Sequence, residues 1–422
     1  MAALELTTGG ESHGPGLTAI VSGMPAGLRI DRDAIDGMLA RRQAGHGRSA
    51  RQRIETDRVE VTGGIRHGRT LGSPIVAVLP NREHRAWTSA MSVWDPPAGS
   101  DGWRERPVTV PRPGHADLAG MARLGTTDAR PVLERASARE TAARTIGGAI
   151  ARQFLAALGI RVRAHVRAIG GIHDAGDPLD EAAWARVGAS PVACADDRAA
   201  EQMVAAIDAA RQERTTLGGT IEVQVDGLPP GIGGYAVAAE RLGARLGGVI
   251  LSVPGIRSVE VGDGHALADV DGRHAHDEVV PAGPAGAGDL GMGVSRTSNR
   301  SGGIEGGMST GAPVILRAAM KPLSTLMRPL QSVDMATGMA AAAHTERSDV
   351  CAVPAASVVV EAVVAFELAR VLRATYGMPT ISDVVAAHAA YCRRVGSPEP
   401  DGDVATAREP ASADRAGEGL QR

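Results

Sequence analysis

The chain contains very little lysine and cysteine. Of the 45 basic side chains among 422 residues, only Lys321 is a lysine, and the others are arginine. The cysteines at 194, 351 and 392 lie far apart and form no Cys-x-x-Cys pair, so neither a disulfide framework nor a metal site is indicated. The bias toward arginine makes the position of the single lysine conspicuous.

Long apolar runs are also absent. No stretch approaches the roughly 18 consecutive apolar residues of a membrane helix, and the first residues show no basic and apolar regions of a secretory signal. The net charge of −3 gives no general reason to expect a nucleic-acid partner. Hydrophobic residues make up 43% of the chain, enough for a sizeable core. These features predict a cytoplasmic enzyme without a membrane partner.

The most informative stretch runs from Arg112 to Arg144. Its first turn presents His115 and Asp117. A helix follows, with Ser137 as the predicted N-cap and a glutamate three residues later, which is the capping-box spacing. Arg135 and Arg139 are expected close together where the chain enters this helix, and Arg144 follows on a later turn. An exposed basic helix face is one interpretation, and an anion site at a helix N-terminus is the other; the histidine turn favours the site.

Two loops near the N-terminus are further candidates for ligand binding. Glycines flank His13, and such a loop lets a ligand approach the backbone closely, so His13 is interpreted as functional rather than packed in a core. Residues 41–53 carry five arginines around Gly45 and Gly47. A nucleic-acid patch is the alternative there, but no aromatic residue is interleaved to stack on bases. Converging guanidiniums suit a phosphate or a carboxylate instead.

Hydrophobic periodicity predicts a mixture of strands and helices. Strands are expected at 17–21, 59–61, 220–225 and 259–261. Helices are expected from Asp31 or Asp33, through Ile146 to Leu155, from Asp197, near 240–246, and over 356–375. The remaining longer segments are interpreted as strand and loop at 160–198, as a mobile lid at 262–303, and as a disordered tail at 396–422.

The sequence also contains an internal repeat of three segments. The pairs are GMPAGL at 23–28 with GLPPGI at 227–232, Val-Glu-Val at 59–61 and 259–261, and Gly-x-x-x-Gly-x-Pro at 68–74 and 307–313. Because the three pairs occur in the same order, they predict two structurally related halves. One site could then lie between them, with His13 and His115 from the first half and Lys321 and residues 347–349 from the second.

Seven motifs together resemble the chorismate synthase family over about residues 4–380. They are GESHG at 10–14, RRQAGHGR at 41–48, RPGHAD at 112–117, RASARETAAR at 135–144, EGGMSTG at 305–311, MKPLSTL at 320–326 and RSDVCAVPAA at 347–356. The resemblance implies an α+β fold, a β-α-β sandwich whose helical core is flanked by antiparallel sheets. It also implies one catalytic domain over residues 1–395 and a homotetramer.

The same resemblance implies a reaction. Chorismate synthases convert 5-enolpyruvylshikimate 3-phosphate to chorismate and phosphate in the shikimate pathway, and they need reduced FMN although there is no net redox change. NADPH used by the chain itself and a separate flavin reductase both stay open as sources of electrons, and the lack of a Gly-x-Gly-x-x-Gly nucleotide domain favours the reductase. The rival interpretations are a flavin-independent phosphate lyase and a non-catalytic anion- or RNA-binding protein.

Roles are implied residue by residue. The catalytic positions are His13, which would protonate the departing phosphate, His115, which would handle a proton at the flavin pyrimidine edge, and Asp349, which would relay the flavin N5 proton. The positions for substrate anions or NADPH are Arg42, Arg48, Arg112 and Arg139. The FMN positions are Arg135, Ala136, Ser137, Ala138, Pro254, Gly255, Gly306, Lys321, Pro322, Leu323, Ser324, Thr325 and Arg347. Some members carry Asn-Ala where this chain has Pro254-Gly255, and proline has no N–H to donate.

Overall fold

The computed structural model describes residues 3–49, 57–94, 106–176, 179–283, 288–346 and 348–397. The helices are α1 Arg32–Gln43, α2 Asp117–Leu124, α3 Arg130–Arg135, α4 Thr141–Ala156, α5 Glu181–Ala189, α6 Asp197–Gln212, α7 Leu242–Leu251, α8 Gly272–Ala275, α9 Val353–Tyr376 and α10 Ile381–Val395. The strands of the first half are β1 Glu5–Gly9, β2 Gly16–Ser22, β3 Glu60–Gly63, β4 Ile65–Arg66, β5 Arg69–Thr70 and β6 Ile75–Pro80. Those that follow are β7 Arg161–Ile169, β8 Ile172–His173, β9 Gly219–Asp226, β10 Ile256–Val261, β11 Val279–Pro281, β12 Val294–Arg296, β13 Ile304–Glu305, β14 Met308–Ser309, β15 Val314–Met320, β16 Gln331–Val333 and β17 Ala340–Ala342.

The two main sheets have equivalent strand orders. The first is β1-β2-β6-β3, and the second is β7-β9-β15-β10 with β8 added outside β7. All neighbours in both sheets pair antiparallel. Each half also has a two-residue-strand hairpin, β4–β5 in the first and β13–β14 in the second. The predicted repeat of two related halves is therefore confirmed.

Two long helices form the layer between these sheets. Helices α4 and α9 pack against each other, α4 also contacts β1 and β2, and α9 contacts β7 and β9. Almost every residue of α9 is buried, as expected of a helix that is apolar all round. The helices approach closely because α4 carries Gly148, where an added Cβ would lie 2.4 Å from the Cβ of Ala362. This arrangement confirms the β-α-β sandwich.

The core faces of the strands follow from their alternation. In β2 the side chains of Leu17, Ala19 and Val21 are buried while their neighbours are partly exposed, which is the period-two pattern of a half-buried strand. In β15 the same alternation buries Val314 and Leu316. Both sheets thus direct an apolar face at the helical layer, which explains why periodicity located strands such as β2 and β9 correctly.

The prediction of strand and loop over 160–198 is wrong in part, because the segment also contains helix α5. Asp180 caps this helix by accepting a hydrogen bond from the backbone N–H of Ala183 at 2.7 Å. Only Ala183 and Val187 of α5 are buried, in a small satellite cluster. The apolar period was therefore too short to indicate a helix.

The segment 262–303 contains more regular structure than the predicted lid. It includes α8 and the paired strands β11 and β12. Asp277 is buried, and its carboxylate accepts hydrogen bonds from the backbone N–H groups of Arg300 and Ser301 and from the hydroxyl of Ser298. These bonds lower the pKa of Asp277 to about 2, although burial alone would raise it. The mobility of residues 262–303 remains a prediction.

Other predictions fall outside the described residues. These include most of the tail, residues 398–422, as well as Arg51, Arg53 and Arg347. Within the described ranges, none of the helices combines the length and the apolar character that a membrane crossing needs.

Candidate active site

A cavity of about 220 Å³ lies where loops of both halves meet the start of the helical layer. Ser12 and His13 line it from the first half, and Val253 and Met320 line it from the second. The beginning of α9 closes one side with small apolar side chains from Ala352 onward. The cavity therefore has a polar, arginine-rich part and an apolar wall.

His13 is held against a buried carboxylate. Its Nδ1 lies 2.9 and 3.1 Å from the two carboxylate oxygens of Glu134, and its backbone N–H donates to Oε2 at 2.9 Å. The ring stacks on Trp87 with centroids 4.0 Å apart. Burial alone would raise the pKa of Glu134, but hydrogen bonds from His13 and Arg130 outweigh this effect, so the pKa is lower than usual. Glu134 is therefore ionised and acts as an acceptor for the imidazole.

His115 has a carboxylate partner of its own. Its Nδ1 lies 2.5 Å from Oδ1 of Asp117, which is fully buried. Asp117 also accepts from the backbone N–H and Nε of Arg112 at 3.0 and 2.8 Å. Arg112 Nη2 comes within 3.1 Å of the same His115 nitrogen. Because a carboxylate only accepts, Nδ1 carries the proton, and the guanidinium contact is one between two donors.

Three arginines converge on the polar part of the cavity. Arg42 donates to the carbonyl of Ala138 and the hydroxyl of Thr141, and Arg139 binds Asp57 through Nη1 at 2.7 Å. Burial and the charges of Arg48 and Arg139 lower the pKa of Arg42 to about 9, although Asp57 and Asp349 oppose this. Among the described residues, Nε of Arg48 and Nη2 of Arg139 are buried without a hydrogen-bond partner. Unpaired guanidinium donors at this depth indicate an anion-binding site.

Asp349 faces this arginine cluster. Its carboxylate accepts from Nη1 of Arg48 at 2.5 Å and from the backbone N–H of Ser49 at 2.7 Å. Both side chains are largely buried. Nearby, the hydroxyl of Ser137 donates to that of Ser12 at 3.2 Å. The cavity thus places two histidines, an aspartate, a glutamate, several serines and several arginines around one space.

Known proteins resemble this chain over nearly its full length. A sequence profile described as chorismate synthase matches residues 4–372. The chain is 50% identical over 379 residues to the chorismate synthase of Frankia alni, which covers 89% of this chain and 95% of that protein. It is 47% identical over 396 residues to that of Rubrobacter xylanophilus, covering 93% and 97%. A crystal structure of a chorismate synthase superimposes with a TM-score of 0.72 at 31% identity, over 94% of this chain and 99% of that chain.

The chain belongs to the chorismate synthase family. Most of the site residues that the resemblance implied line the one cavity described above. They are His13, His115, Asp349, Arg42, Arg48, Arg112, Arg139, Ser137, Ala138, Pro254, Leu323, Ser324 and Thr325. None of the described residues of 262–303 lines it, and the interpretation of that segment as a mobile lid stays a prediction.

Six of the implied FMN positions do not line the cavity: Arg135, Ala136, Gly255, Gly306, Lys321 and Pro322. Lys321 Nζ donates to the carbonyl of Gly114 at 2.8 Å and so supports the turn that carries His115. Burial and the charge of Arg257 lower the pKa of Lys321. Gly255 has a φ of +88°, which favours glycine, and its carbonyl accepts from the backbone N–H of Lys321 at 2.9 Å. Flavin contacts of these six residues remain predictions.

Arg135 and Arg139, expected close together at one helix entrance, bind different groups. Helix α3 ends at Arg135, and a 3-10 turn over 138–140 separates it from α4. Arg135 donates to the backbone oxygens of Thr8 and Gly10. It also lies 3.7 Å from the carboxylate of Glu140, which Arg144 binds at 2.9 Å. Arg139 instead binds Asn81 and Asp57. Ser137 does cap the turn, by accepting from the N–H of residue 139 at 3.3 Å. Of the three arginines, only that at 139 lines the cavity.

Sequence reasoning missed Glu134 and Glu346. Glu134 lies 121 residues from His13, and no local pattern connects them. Glu346 lines the cavity, where its contacts with His344, Arg112 and Arg130 lower its pKa to about 2 although burial alone would raise it. The i,i+4 spacing of Arg130 and Glu134 was the only signal in the sequence, and it is common on ordinary helices. Among the described residues no group of three or more potential ligands could hold a metal ion.

Proposed function

We propose that this chain converts 5-enolpyruvylshikimate 3-phosphate to chorismate by eliminating phosphate and a ring hydrogen. Membership in the chorismate synthase family supports this activity. The observation that carries the proposal is a pair of buried guanidinium donors, on Arg48 and Arg139, that have no hydrogen-bond partner in the part of the chain that the structure describes. They lie in a cavity with two histidines anchored by carboxylates.

Anion binding is the first task of the site. The proposed substrate carries one phosphate and two carboxylates, so it presents several acceptors to the arginines. Arg42 gains from such a ligand, because burial and the charges of Arg48 and Arg139 lower its pKa and a nearby anion would oppose that effect. Arg139 is already fixed by Asp57 and by Asn81, so its remaining donor is held in place for a ligand.

Proton transfer is the second task. His13, with Nδ1 on Glu134, can give the proton of Nε2 to the phosphate oxygen as the carbon–oxygen bond breaks. His115, with Nδ1 on Asp117, likewise offers Nε2 as a proton carrier. The carboxylate of Asp349, fixed by Arg48 and Ser49, can accept a proton. Three proton-handling groups with different partners therefore border one cavity.

We propose that reduced FMN binds beside the substrate. The residues present fit a flat heteroaromatic ring next to an anion, because the wall formed by Leu133, Val253, Met320 and the start of α9 is apolar. Ser137, Ala138, Pro254 and residues 323–325 would hold the cofactor. When bound, reduced FMN would supply electron density to the substrate and take up the hydrogen lost from its ring. The apolar wall would exclude water, which strengthens the charge interactions of the histidines and arginines.

Anaerobic turnover tests the proposal. Purified protein is mixed with substrate and dithionite-reduced FMN, and chorismate is measured by chromatography; we expect chorismate and phosphate in equal amounts. If flavin-free protein forms chorismate without added flavin, the chain is a flavin-independent phosphate lyase. Absence of product in all arms, with binding of RNA that weakens as salt rises, would favour the non-catalytic alternative. Replacing dithionite by NADPH shows whether the chain reduces FMN itself or needs a separate flavin reductase.

We further propose that the chain forms a homotetramer and works in the cytoplasm. The arm formed by β16 and β17 supports association, because Met327, Leu330, Val333 and Met339 around it are exposed by 57, 52, 43 and 69%. Apolar side chains grouped in this way are typical of an interface. Light scattering coupled to size-exclusion chromatography should give four times the chain mass, and Met339→Lys should reduce the assembly.

A further inference from the structure

Glu134 makes a set of contacts that a simple structural ion pair does not need. Its side chain is 1% exposed, and both carboxylate oxygens lie within 3.1 Å of His13 Nδ1. One of these oxygens also accepts the backbone N–H of His13, and the carbonyl of Glu134 accepts the N–H of Ser12 at 3.0 Å. Glu134 therefore determines both the position of the histidine loop and the orientation of the ring.

We propose that Glu134 is a positioning residue for the elimination: it holds His13 with the proton on Nδ1 and stabilises the imidazolium, so that Nε2 delivers the proton to the leaving phosphate. This inference rests on the proposed function, in which His13 is the acid. A carboxylate can only accept, so its hydrogen bond selects the Nδ1–H form of the ring. Free histidine favours the other tautomer, so the carboxylate overrides an intrinsic preference.

The proton balance follows from this arrangement. The carbon–oxygen bond to the phosphate breaks, and its electron pair goes to the phosphate oxygen. The ring carbon–hydrogen bond breaks as well: its electron pair completes the new double bond, and its hydrogen leaves as a proton. The phosphate oxygen takes the proton from Nε2 of the imidazolium. His13 is then neutral, still donating Nδ1–H to Glu134, and takes a proton from solvent before the next turnover.

Neighbouring groups restrict both members of the pair. Trp87 covers one face of the His13 ring, with the planes 22° apart. Nη1 of Arg130 donates to Oε1 of Glu134 at 3.2 Å, and the same guanidinium lies over Trp87 at 5.1 Å. The ring and the carboxylate are thus each held from a second side, which limits rotation away from one another.

The charges around the pair keep Glu134 ionised. The titratable groups that face it or its direct partners are Arg130, Arg106 over the Trp87 ring, His84 at the carbonyl of His13, and Glu346 with its neighbours Arg112 and His344. Hydrogen bonds from His13 and Arg130 lower the pKa of Glu134 more than burial raises it. A permanently charged partner is what stabilisation of an imidazolium requires.

The competing interpretation is that Glu134 only ties the loop at residues 12–13 to helix α3. A double-mutant cycle separates the two, because a residue that acts through His13 has no further effect once that ring is gone. The variants are Glu134→Gln, His13→Ala and the double variant. Glu140→Gln is the matched control, because this buried carboxylate of the same segment binds Thr8 and Arg144 instead of His13.

We expect Glu134→Gln to lower kcat by about 10²-fold, the lower range for a general acid, with KM for the substrate changed less than about threefold. In the His13→Ala background the same change should lower kcat by less than about threefold. If Glu134→Gln slows the His13→Ala protein by the same factor as it slows wild type, Glu134 acts on the structure and the proposal is wrong.

A second measurement needs neither turnover nor a stable Glu134 variant. Wild-type protein labelled with ¹⁵N-histidine is studied by NMR at a pH where His13 is neutral, and its signal is assigned by its loss in His13→Ala. We expect the Nδ1–H tautomer, unchanged in Glu140→Gln. Finding the Nε2–H tautomer would overturn the proposal. If wild type forms no chorismate, the proposed function fails, whereas this tautomer measurement still decides whether the pair exists.

Discussion

Replacing Asp117 by asparagine tests how the turn that carries His115 is held. Asp117 is fully buried, and its carboxylate accepts from His115 and from three nitrogens of Arg112. Asparagine keeps the shape but removes the charge and presents an NH₂ group to one of these donors. Arg112 keeps its contacts with Thr325 at 3.1 Å and Glu346 at 3.8 Å. We therefore expect the free energy of unfolding to fall by about 3 kcal/mol, the lower end for breaking a buried ion pair.

The pH dependence gives this prediction a sign. Burial alone would raise the pKa of Asp117, but hydrogen bonds from His115 and Arg112 bring it well below its usual range. The folded pKa is thus lower than the unfolded value of about 3.9. The stabilisation is fully present above that unfolded value and is lost as the pH falls toward the folded pKa. The difference in the free energy of unfolding between wild type and Asp117→Asn should therefore be constant above about pH 5 and shrink below about pH 4.

Urea unfolding followed by circular dichroism at several pH values measures this difference. Thr325→Val is the control, because it removes a neutral acceptor from the same guanidinium and should cost about 1 kcal/mol. Anaerobic turnover of Asp117→Asn should also fall, since His115 loses the partner that selects its tautomer. A loss of stability no larger than that of Thr325→Val, or one independent of pH, would refute the reasoning.

Four further predictions concern the site and the core. His115→Ala should lower turnover by about 10²-fold or more with an unchanged circular dichroism spectrum, since a proton-transfer group contributes about that much; turnover within about threefold of wild type would remove it from the mechanism. Arg48→Ala should weaken substrate binding more than FMN binding, because its buried Nε faces the anion site; separate titrations of the two ligands measure this, and the reverse order would contradict it. Lys321→Met should lower turnover about tenfold, because the charged hydrogen bond that supports Gly114 is lost; unchanged turnover would show that the turn does not need it. Gly148→Ala should lower the thermal unfolding temperature, because the new Cβ meets Ala362 at 2.4 Å, whereas Gly37→Ala in α1 has open space and should raise it.

The sequence by itself determined the local elements and the family. Strands such as β2 and helices such as α9 depend on periodicity within a few residues, so the pattern located them. The order of the three repeated segments predicted two halves, which the matching sheets confirm. Motifs such as RPGHAD and GESHG contain contiguous residues, so they could be recognised before any fold was known. Helix α5 was missed because its apolar side is too short to give a period.

The tertiary structure decided which of these residues meet and in what state. Glu134 reaches His13 across 121 positions, and Asp349 reaches Arg48 across 301. The burial of Arg42 and its crowding by Arg48 and Arg139, which together lower its pKa, likewise exist only in the folded chain. Conversely, Arg135 lies in a matching motif, yet it binds backbone oxygens outside the cavity. Periodicity reports on neighbours along the chain, whereas a catalytic site depends on distances and burial across it, and only packing of the two halves sets those.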